Sequence, residues 1–446
     1  MKARYRSMLL SLVLWGSGQF FIGKQRAKGI LFFLLQCVLV GTELFSGYWI
    51  EYFTGRINHF SVRLHGGVFT RGIWGILTLG VKADVKTGDH STMLMITGII
   101  CMMVLGIFLG LYVWNVADAR RAGVLVEEHG QIPTGRQFLS QMWNQMFAYI
   151  VLAPVIVLFL FVVVMPILFS VLTAFTNYSR ENLPPKNLID WVGISNFLKL
   201  FRVPVWSKTF FAVLRWTVVW AALATLSTYF VGMFQAMILN SRQVRGKKIF
   251  QTIFILPWAM PNMVILIVFK NLLNGQFGPI NQFLLKTGLI DNSIPFLSDP
   301  VMAKITALAV NLWMGYPVFM VMILGVLANQ DQGLVDAAAV DGANRLQIFL
   351  RIKFPLLMYA TAPLLVMNFA GNFNGFGAVY FLTEGGPVNS SYQFAGETDI
   401  LITWIYKLTL NQQMYSMAAV MNLLIFLFIG AVSFWNFRRT VAFKEA

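Results

Sequence analysis

The stretch "LVDAAAVDGANRLQIFLRIKFPLL", residues 334–357, lies between two long apolar runs and does not share their composition. "LVDAAAV" is helix-forming, and its three successive alanines give a small face that another surface can approach closely. Gly342 permits a sharp turn. In "NRLQIFLRIKF", Leu346, Phe349, Leu350 and Phe354 recur at helical spacing, with Arg345, Arg351 and Lys353 between them. Pro355 is expected to end this piece and lead into the next apolar run. The pattern predicts two short helices at an angle, with one apolar face and one small, polar face. Such a segment can rest on lipid headgroups as an amphipathic helix, or dock into a groove on a partner. Periodicity alone favours the lipid surface.

The surroundings make the membrane certain. The chain has 446 residues, of which 57% are hydrophobic and 12% charged, with 40 phenylalanines. Soluble chains carry about 25% charged residues. The formal charge is +16. Basic residues fall in short gaps between apolar runs, the membrane pattern, and not in a basic patch for nucleic acid. Cys37 and Cys101 lie in apolar runs, and His59, His65, His90 and His129 show no ligand spacing, so neither a disulfide framework nor a metal site is expected.

Crossing a bilayer takes about 20 apolar residues. Eight runs satisfy this: 28–50, 92–116, 149–176, 210–240, 249–272, 303–328, 357–383 and 416–437. The shorter run Met8–Ile22 is interrupted by "WGSGQ" and reads as an interfacial or re-entrant segment; no cleavage site follows it, so no cleaved leader is expected. The basic segments "GKQRAKG" (23–29), "SRQVRGKK" (241–248) and "NFRRTVAFK" (436–444) share one side if eight spans follow residue 29. By the positive-inside rule that side is the cytoplasm, which then holds both termini and the 334–357 stretch. The opposite loops carry some basic residues too, including Arg56, Arg63, Arg180 and Lys186.

The order of residues in the opening stretch adds a partner to its shape. "DAAAVDGA", nine residues, then "IKFP" resembles the EAA signature of the membrane subunits of ATP-binding-cassette (ABC) importers. Asp336, Ala337, Ala338, Asp341, Gly342, Ile352 and Pro355 carry it, with Asp336 for the usual glutamate and Phe354 for the usual leucine. "LTAFTNY" (172–178), "WVGISNF" (191–197), "ILPWAMPN" (255–262), "VNLWMGYP" (310–317), "LTEGGP" (382–387) and "AGETDILITWIY" (395–406) extend the likeness to maltose-type sugar permeases over about residues 150–440. The resemblance implies an all-α polytopic fold, with residues 1–148 adding two spans and a cytoplasmic linker to a six-helix core at 149–446, and a coupling loop at 331–356 seated in an ATPase subunit. It implies a second related permease, two ATPase subunits, an extracytoplasmic sugar-binding protein, and a bacterial plasma-membrane location. About thirty residues separate the third and fourth spans, too few for the large periplasmic domain of some family members, and by the resemblance this implies a lipid-anchored binding protein. No Walker A motif occurs, so ATP and magnesium belong to the partner subunits; no cofactor, catalytic residue or metal is expected in this chain.

The span interiors are nearly free of ionisable groups, which disfavours ion coupling; Glu43, Lys270 and Lys304 stand near span ends. They hold amides, aromatics, glycines and prolines instead: Trp258 and Asn262 in "LPWAMPN", Asn311, Trp313, Gly315 and Tyr316 in "NLWMGYP", and Asn372, Phe373 and Asn374 in "AGNFNGFG". Aromatic faces and amides suit neutral sugars, and helix breakers are tolerated where a cavity is lined. Each residue alone also fits an interface anchor or an interhelical hydrogen bond. By the resemblance, the sugar site falls on Trp258, Asn262, Asn311, Gly315 and Asn372. By the same resemblance, Val318 stands where a tyrosine can occur and Gly371 and Gly375 replace bulkier residues, which implies a wider or less polar pocket there. The expected substrate is a maltodextrin or another neutral oligosaccharide; a channel would lack the docking loop, and a membrane-embedded enzyme would need convergent acids or histidines.

Overall fold

A computed structural model of the protein describes residues 2–47, 66–81, 89–128, 143, 147–148, 151–241, 243–330 and 332–437. Expectations for Arg56, Arg63, His59, His65, His129, Asp331, most of the 129–148 linker and the basic C-terminal run lie largely outside these residues. Among the described residues the structure is helical, with two isolated bridges, Thr176–Trp191 and Val388–Gly396, and no strand. The chain forms two compact units, Met1–Gly193 and Ile194–Ala446.

The first unit contains α1 (Ala3–Val13), α2 (Arg26–Ser46), α3 (Val68–Thr78), α4 (Ser91–Glu128) and α5 (Val151–Thr173). At 11 residues α1 spans only about 16 Å and cannot cross a bilayer. The "WGSGQ" interruption is a buried polar knot. Gly16 turns at φ +78°, and a Cβ there would lie 2.0 Å from the Gly29 carbonyl oxygen. Asn115 on α4 accepts from the Gly16 amide at 3.0 Å and donates to the Ser11 carbonyl at 3.0 Å, while Gln19 donates to the Asn115 carbonyl at 2.9 Å. In apolar surroundings an unpaired amide is costly, so the knot fixes α1 against α4. Glu43 of α2 accepts from the backbone amides of Gly67 and Phe69 at the start of α3, a carboxylate at a helix N-terminus.

The second unit contains α6 (Ser195–Arg202), α7 (Pro204–Asn240), α8 (Lys247–Ala259), α9 (Asn262–Leu272), α10 (Pro279–Lys286), α11 (Pro300–Ala328), α12 (Gln332–Val340), α13 (Arg345–Phe373), α14 (Phe376–Thr383), α15 (Leu401–Tyr406) and α16 (Tyr415–Phe437). Helices α2, α4, α5, α7, α11 and α13 are long and apolar enough to cross a membrane, and the α8–α9 pair makes seven if it counts as one span. Helix α16, 23 residues, occupies the place of the eighth expected run.

Three expectations are corrected. The run 249–272 is not one straight helix: α8 and α9 meet at 88°. Met260 precedes Pro261, which drives it out of the helical region to φ −87°, ψ 142°. The run 357–383 is also interrupted, at Asn374–Gly375, between α13 and α14. Finally, Pro355 ends nothing, because residues 345–373 run on as one helix of 29 residues. The proline ring would clash with the carbonyl four residues back, on Arg351. The helix avoids this by widening into a π-turn, Phe349–Lys353, where the Phe354 amide donates to the Phe349 carbonyl. The same device precedes Pro166, where the π-turn Leu160–Val164 lets the Met165 amide donate to Leu160.

Helix α7 is the centre of the second unit. Its Gly232 lies so close to α11 that a Cβ would fall 2.7 Å from the Tyr316 carbonyl oxygen and 2.8 Å from the Phe319 Cβ. On α11, a Cβ at Gly315 would lie 2.8 Å from the Thr228 methyl. Small residues permit such approach between membrane helices. The Tyr229 hydroxyl of α7 lies 3.1 Å from the Thr361 hydroxyl of α13. Two apolar clusters form along α7. One joins Trp220 and Ala224 to Leu266, Val310 and Val379; the other joins Tyr229 and Met233 to Phe319, Ile323 and Leu357.

The segment after α14 is pinned by buried charge. Asp399 is buried and accepts from Lys407 at 2.6 Å, the Gly396 amide at 2.6 Å and the Thr403 hydroxyl at 2.8 Å. Burial pushes its carboxyl above the usual value, against the pull of Lys407 and these donors. Gly385 turns at φ +75° directly over it, where a Cβ would lie 1.9 Å from Oδ1. Glu397 pairs with Lys304 at 2.8 Å and with Asn389 at 2.6 Å. Burial raises the Glu397 carboxyl, but Lys304 and Asn389 more than offset this and hold it below its ordinary value. Trp216 and Thr217 of α7 bond the Thr398 carbonyl and the Leu401 amide at 3.1 and 2.9 Å.

Two outcomes follow from this packing. Gly232→Ala overfills the α7–α11 seam, with an expected loss of about 1–3 kcal/mol, read as a lower thermal midpoint in detergent. Gly325→Ala on the same α11, where a Cβ meets nothing within 4 Å, is expected to be neutral or slightly stabilising. Lys407→Met leaves a buried carboxylate uncompensated and should lower the midpoint sharply, by about 3–5 kcal/mol. Asp399→Asn leaves a lysine that reaches solvent and should cost less. Equal losses in the two variants would contradict the buried-pair account.

Candidate functional site

Two regions of the second unit carry the residues that the sequence singles out. The first is the 332–356 segment. Helix α12 closes with a double hydrogen bond: the Gly342 amide donates to Ala339 at 3.1 Å and the Ala343 amide to Ala338 at 3.0 Å. This closure requires a left-handed residue, and Gly342 supplies it at φ +81°. Asn344 then caps the next helix reciprocally with Gln347, both bonds at 2.8 Å. The turn is therefore built by bonds local to it. Asp336, Ala337, Asp341 and Gly342 are exposed, Ala338 is half-buried, and Val340 is 87% exposed with Leu334 and Leu346 also open. Ile352 is half-buried within the π-turn and Pro355 is exposed.

The second region is a belt of small and neutral polar residues between the two apolar clusters. Thr225 and Thr228 stand on α7 between Ala224 and Tyr229, and Gly315 stands on α11 between Val310 and Phe319. Asn372 on α13 donates to the Thr225 hydroxyl at 3.0 Å and to the Asn368 side chain at 2.9 Å. Asn372 and Gly315 thus both meet α7 within a single helical turn. Two helix breaks lie in the same unit, at Met260–Pro261 and Asn374–Gly375. Trp258, 61% exposed, and Asn262, also exposed, flank the first break, and Asn374 is exposed at the second. Asn311 is half-buried on α11, and its neighbour Trp313 packs edge-on to Phe269.

Phe373 is not in this belt. It is 2% exposed and its ring stacks on Phe428 of α16, so it belongs to the packing. Thr225, Thr228 and Asn368 join the belt although the sequence did not mark them. The signal of the two threonines was a polar side chain at helical spacing on an otherwise small face, Ala221, Thr225, Thr228 and Gly232.

Comparison with known proteins places this architecture. Residues 228–441 match the family model described as binding-protein-dependent transport system inner membrane component. The chain is 35% identical over 445 residues to the galactooligosaccharides transport system permease protein GanP of Bacillus subtilis (strain 168), covering 100% of both chains. It is 33% identical over 452 residues to the maltodextrin transport system permease protein MdxF of the same organism, covering 99% of this chain and 97% of the relative. Among solved structures, a chain of a bacterial ABC transporter involved in alginate import shares the fold, with a TM-score of 0.54 and 24% identity over 68% of this chain and 99% of the other. With its membrane-spanning helices and relatives matched end to end, the chain belongs to the binding-protein-dependent transport system inner membrane components, as a multi-pass ABC permease subunit that is not itself an enzyme.

Proposed function

We propose that the chain forms half of the translocation path of an ATP-driven importer of neutral oligosaccharides, with maltodextrins as the substrate class. The belt at Thr225, Thr228, Gly315 and Asn372 carries this reading. It holds hydroxyls and amides and no charge, and the nearby breaks are of the kind that line cavities. Trp258, Asn262, Asn311, Asn372 and Asn374 are the residues proposed to meet the sugar, the tryptophan by stacking and the amides by hydrogen bonds to hydroxyls. Two ATPase subunits, which bring ATP and magnesium, receive the 331–356 loop of this chain and the matching loop of a second, related permease. An extracytoplasmic binding protein delivers the sugar. The basic loops and both termini face the cytoplasm, the loop between α14 and α16 faces outside, and the membrane is the bacterial plasma membrane.

The geometry offers a direct transmission route. Arg345, one turn past Gly342, and Asn372 belong to one continuous helix of 29 residues, about 43 Å long. Movement of the docked loop therefore displaces the Asn372 end of α13 as a rigid rod, hinged where Thr361 meets Tyr229. Galactooligosaccharides are the second substrate class, favoured by the full-length likeness to the permease named for them.

Uptake of labelled maltodextrins, galactooligosaccharides and a charged disaccharide by cells or proteoliposomes tests the proposal. Wild type should carry a neutral class and exclude the charged one. Asn372→Ala should weaken transport affinity roughly 5- to 150-fold, as expected for a lost buried hydrogen bond. Gly342→Pro should leave the protein in the membrane and abolish uptake. Normal transport by both variants would overturn this reading.

A further inference from the structure

Beside the pinned 384–400 segment lies a cavity of about 470 Å³, within the second unit, which meets the expected spans only at Thr383, the last residue of the 357–383 run. None of the residues proposed for the translocation path lines it. Its size falls in the usual range of small-molecule sites, roughly 300–1,000 Å³. Tyr392 and Phe394 supply two aromatic rings, and Ser390, Asn411 and Gln412 supply hydroxyl and amide groups. The side-chain polar atoms of Tyr392, Ser390, Asn411 and Gln412 have no hydrogen-bond partner among the described residues.

The charges that reach the cavity are already neutralised. Lys407 pairs with buried Asp399, and Glu384 pairs with Lys270. An ionic ligand therefore finds no free counter-charge on these walls. The walls are also held rigidly, through Asp399, Glu397 and Gly385. Strained backbone gathers here: Glu384 and Phe394 on the lining and Gln413 beside Gln412 are non-glycine residues at φ +52°, +57° and +51°. Such outliers persist where surrounding structure over-determines them, and they concentrate at ligand sites.

We propose that this cavity is a second saccharide site, which holds one or two neutral sugar rings on the outer side of the chain before they enter the path between the spans. The ring of Tyr392 or Phe394 covers a sugar's C–H face, and Asn411 and Gln412 bond its hydroxyls. The proposal rests on the oligosaccharide reading above for its choice of probes.

The test uses the full chain in its assembled transporter in nanodiscs, with Cys37→Ala to remove the exposed native thiol. Val388→Cys, an exposed position on the cavity's rim, is labelled with a bulky hydrophilic maleimide. Saturating maltotriose or galactotriose should slow the labelling several-fold, and a charged disaccharide should not. The protection should persist when Asn372→Ala is added, because the two sites are separate. Tyr392→Ala should raise the sugar concentration needed for protection roughly 5- to 150-fold; if that variant does not assemble, Ser390→Ala supplies the same readout. Absence of protection, with uptake intact, overturns the second site and leaves the transport reading standing. Protection that vanishes with Asn372→Ala also overturns it, since the effect then comes from the path between the spans. Protection by the sugar-free binding protein but not by sugar makes the cavity a protein dock and overturns it as well. Protection combined with normal uptake by Asn372→Ala keeps the second site and removes Asn372 from the path.

Discussion

The near-contact of α7 with α11 is the constraint on which the second unit depends. Gly232 and Gly315 each lack the Cβ that would push the helices apart, and both face the partner helix. In a bilayer, helices gain little by burying apolar side chains against each other, since lipid is equally apolar. Close packing and a few hydrogen bonds must therefore hold the bundle. The seam brings Thr225 and Thr228 into the interior, where Asn372 finds a partner. The two apolar clusters above and below the belt are sections of the same seam.

That arrangement separates a stable frame from the parts able to move. The frame is α7 and α11, together with the α14–α15 connection, which the Asp399–Lys407 pair clasps internally and the Leu401–Thr217 bond ties to α7. Helix α13 meets the frame through two side-chain bonds to α7, at Thr361 and Asn372, and it continues into the exposed loop. The π-turn before Pro355 gives this helix its continuity. A proline that broke α13 would uncouple the loop from the belt, whereas a π-turn carries the rod past it.

Much of this was legible in the sequence. Apolar run length located the spans, and Gly342 marked its turn because only a left-handed residue closes α12 in this way. The prolines of "LPWAMPN" announced a break, though not one of 88°. Pro355 was misread, because local rules treat an interior proline as a stop and the compensating π-turn has no sequence signature. Phe373 was grouped with its neighbours Asn372 and Asn374, yet adjacent residues on a helix point about 100° apart, and it fell to the core. The Asp399–Lys407 and Glu397–Lys304 pairs were hidden because their partners meet only in the folded segment. Thr225 carried only the weak signal of a polar residue on a small helical face, which is ordinary packing until an amide reaches it.

The central claim is that the exposed 332–356 turn is the point at which an ATPase grips this chain. A photo-crosslinking amino acid at Val340, 87% exposed at the tip of α12, tests it most directly in living cells. The account predicts a covalent adduct with a nucleotide-binding subunit that carries a Walker A motif, lost when Gly342→Pro is introduced. Crosslinks to lipid alone would show that the turn rests on the membrane surface, and would contradict the coupling role.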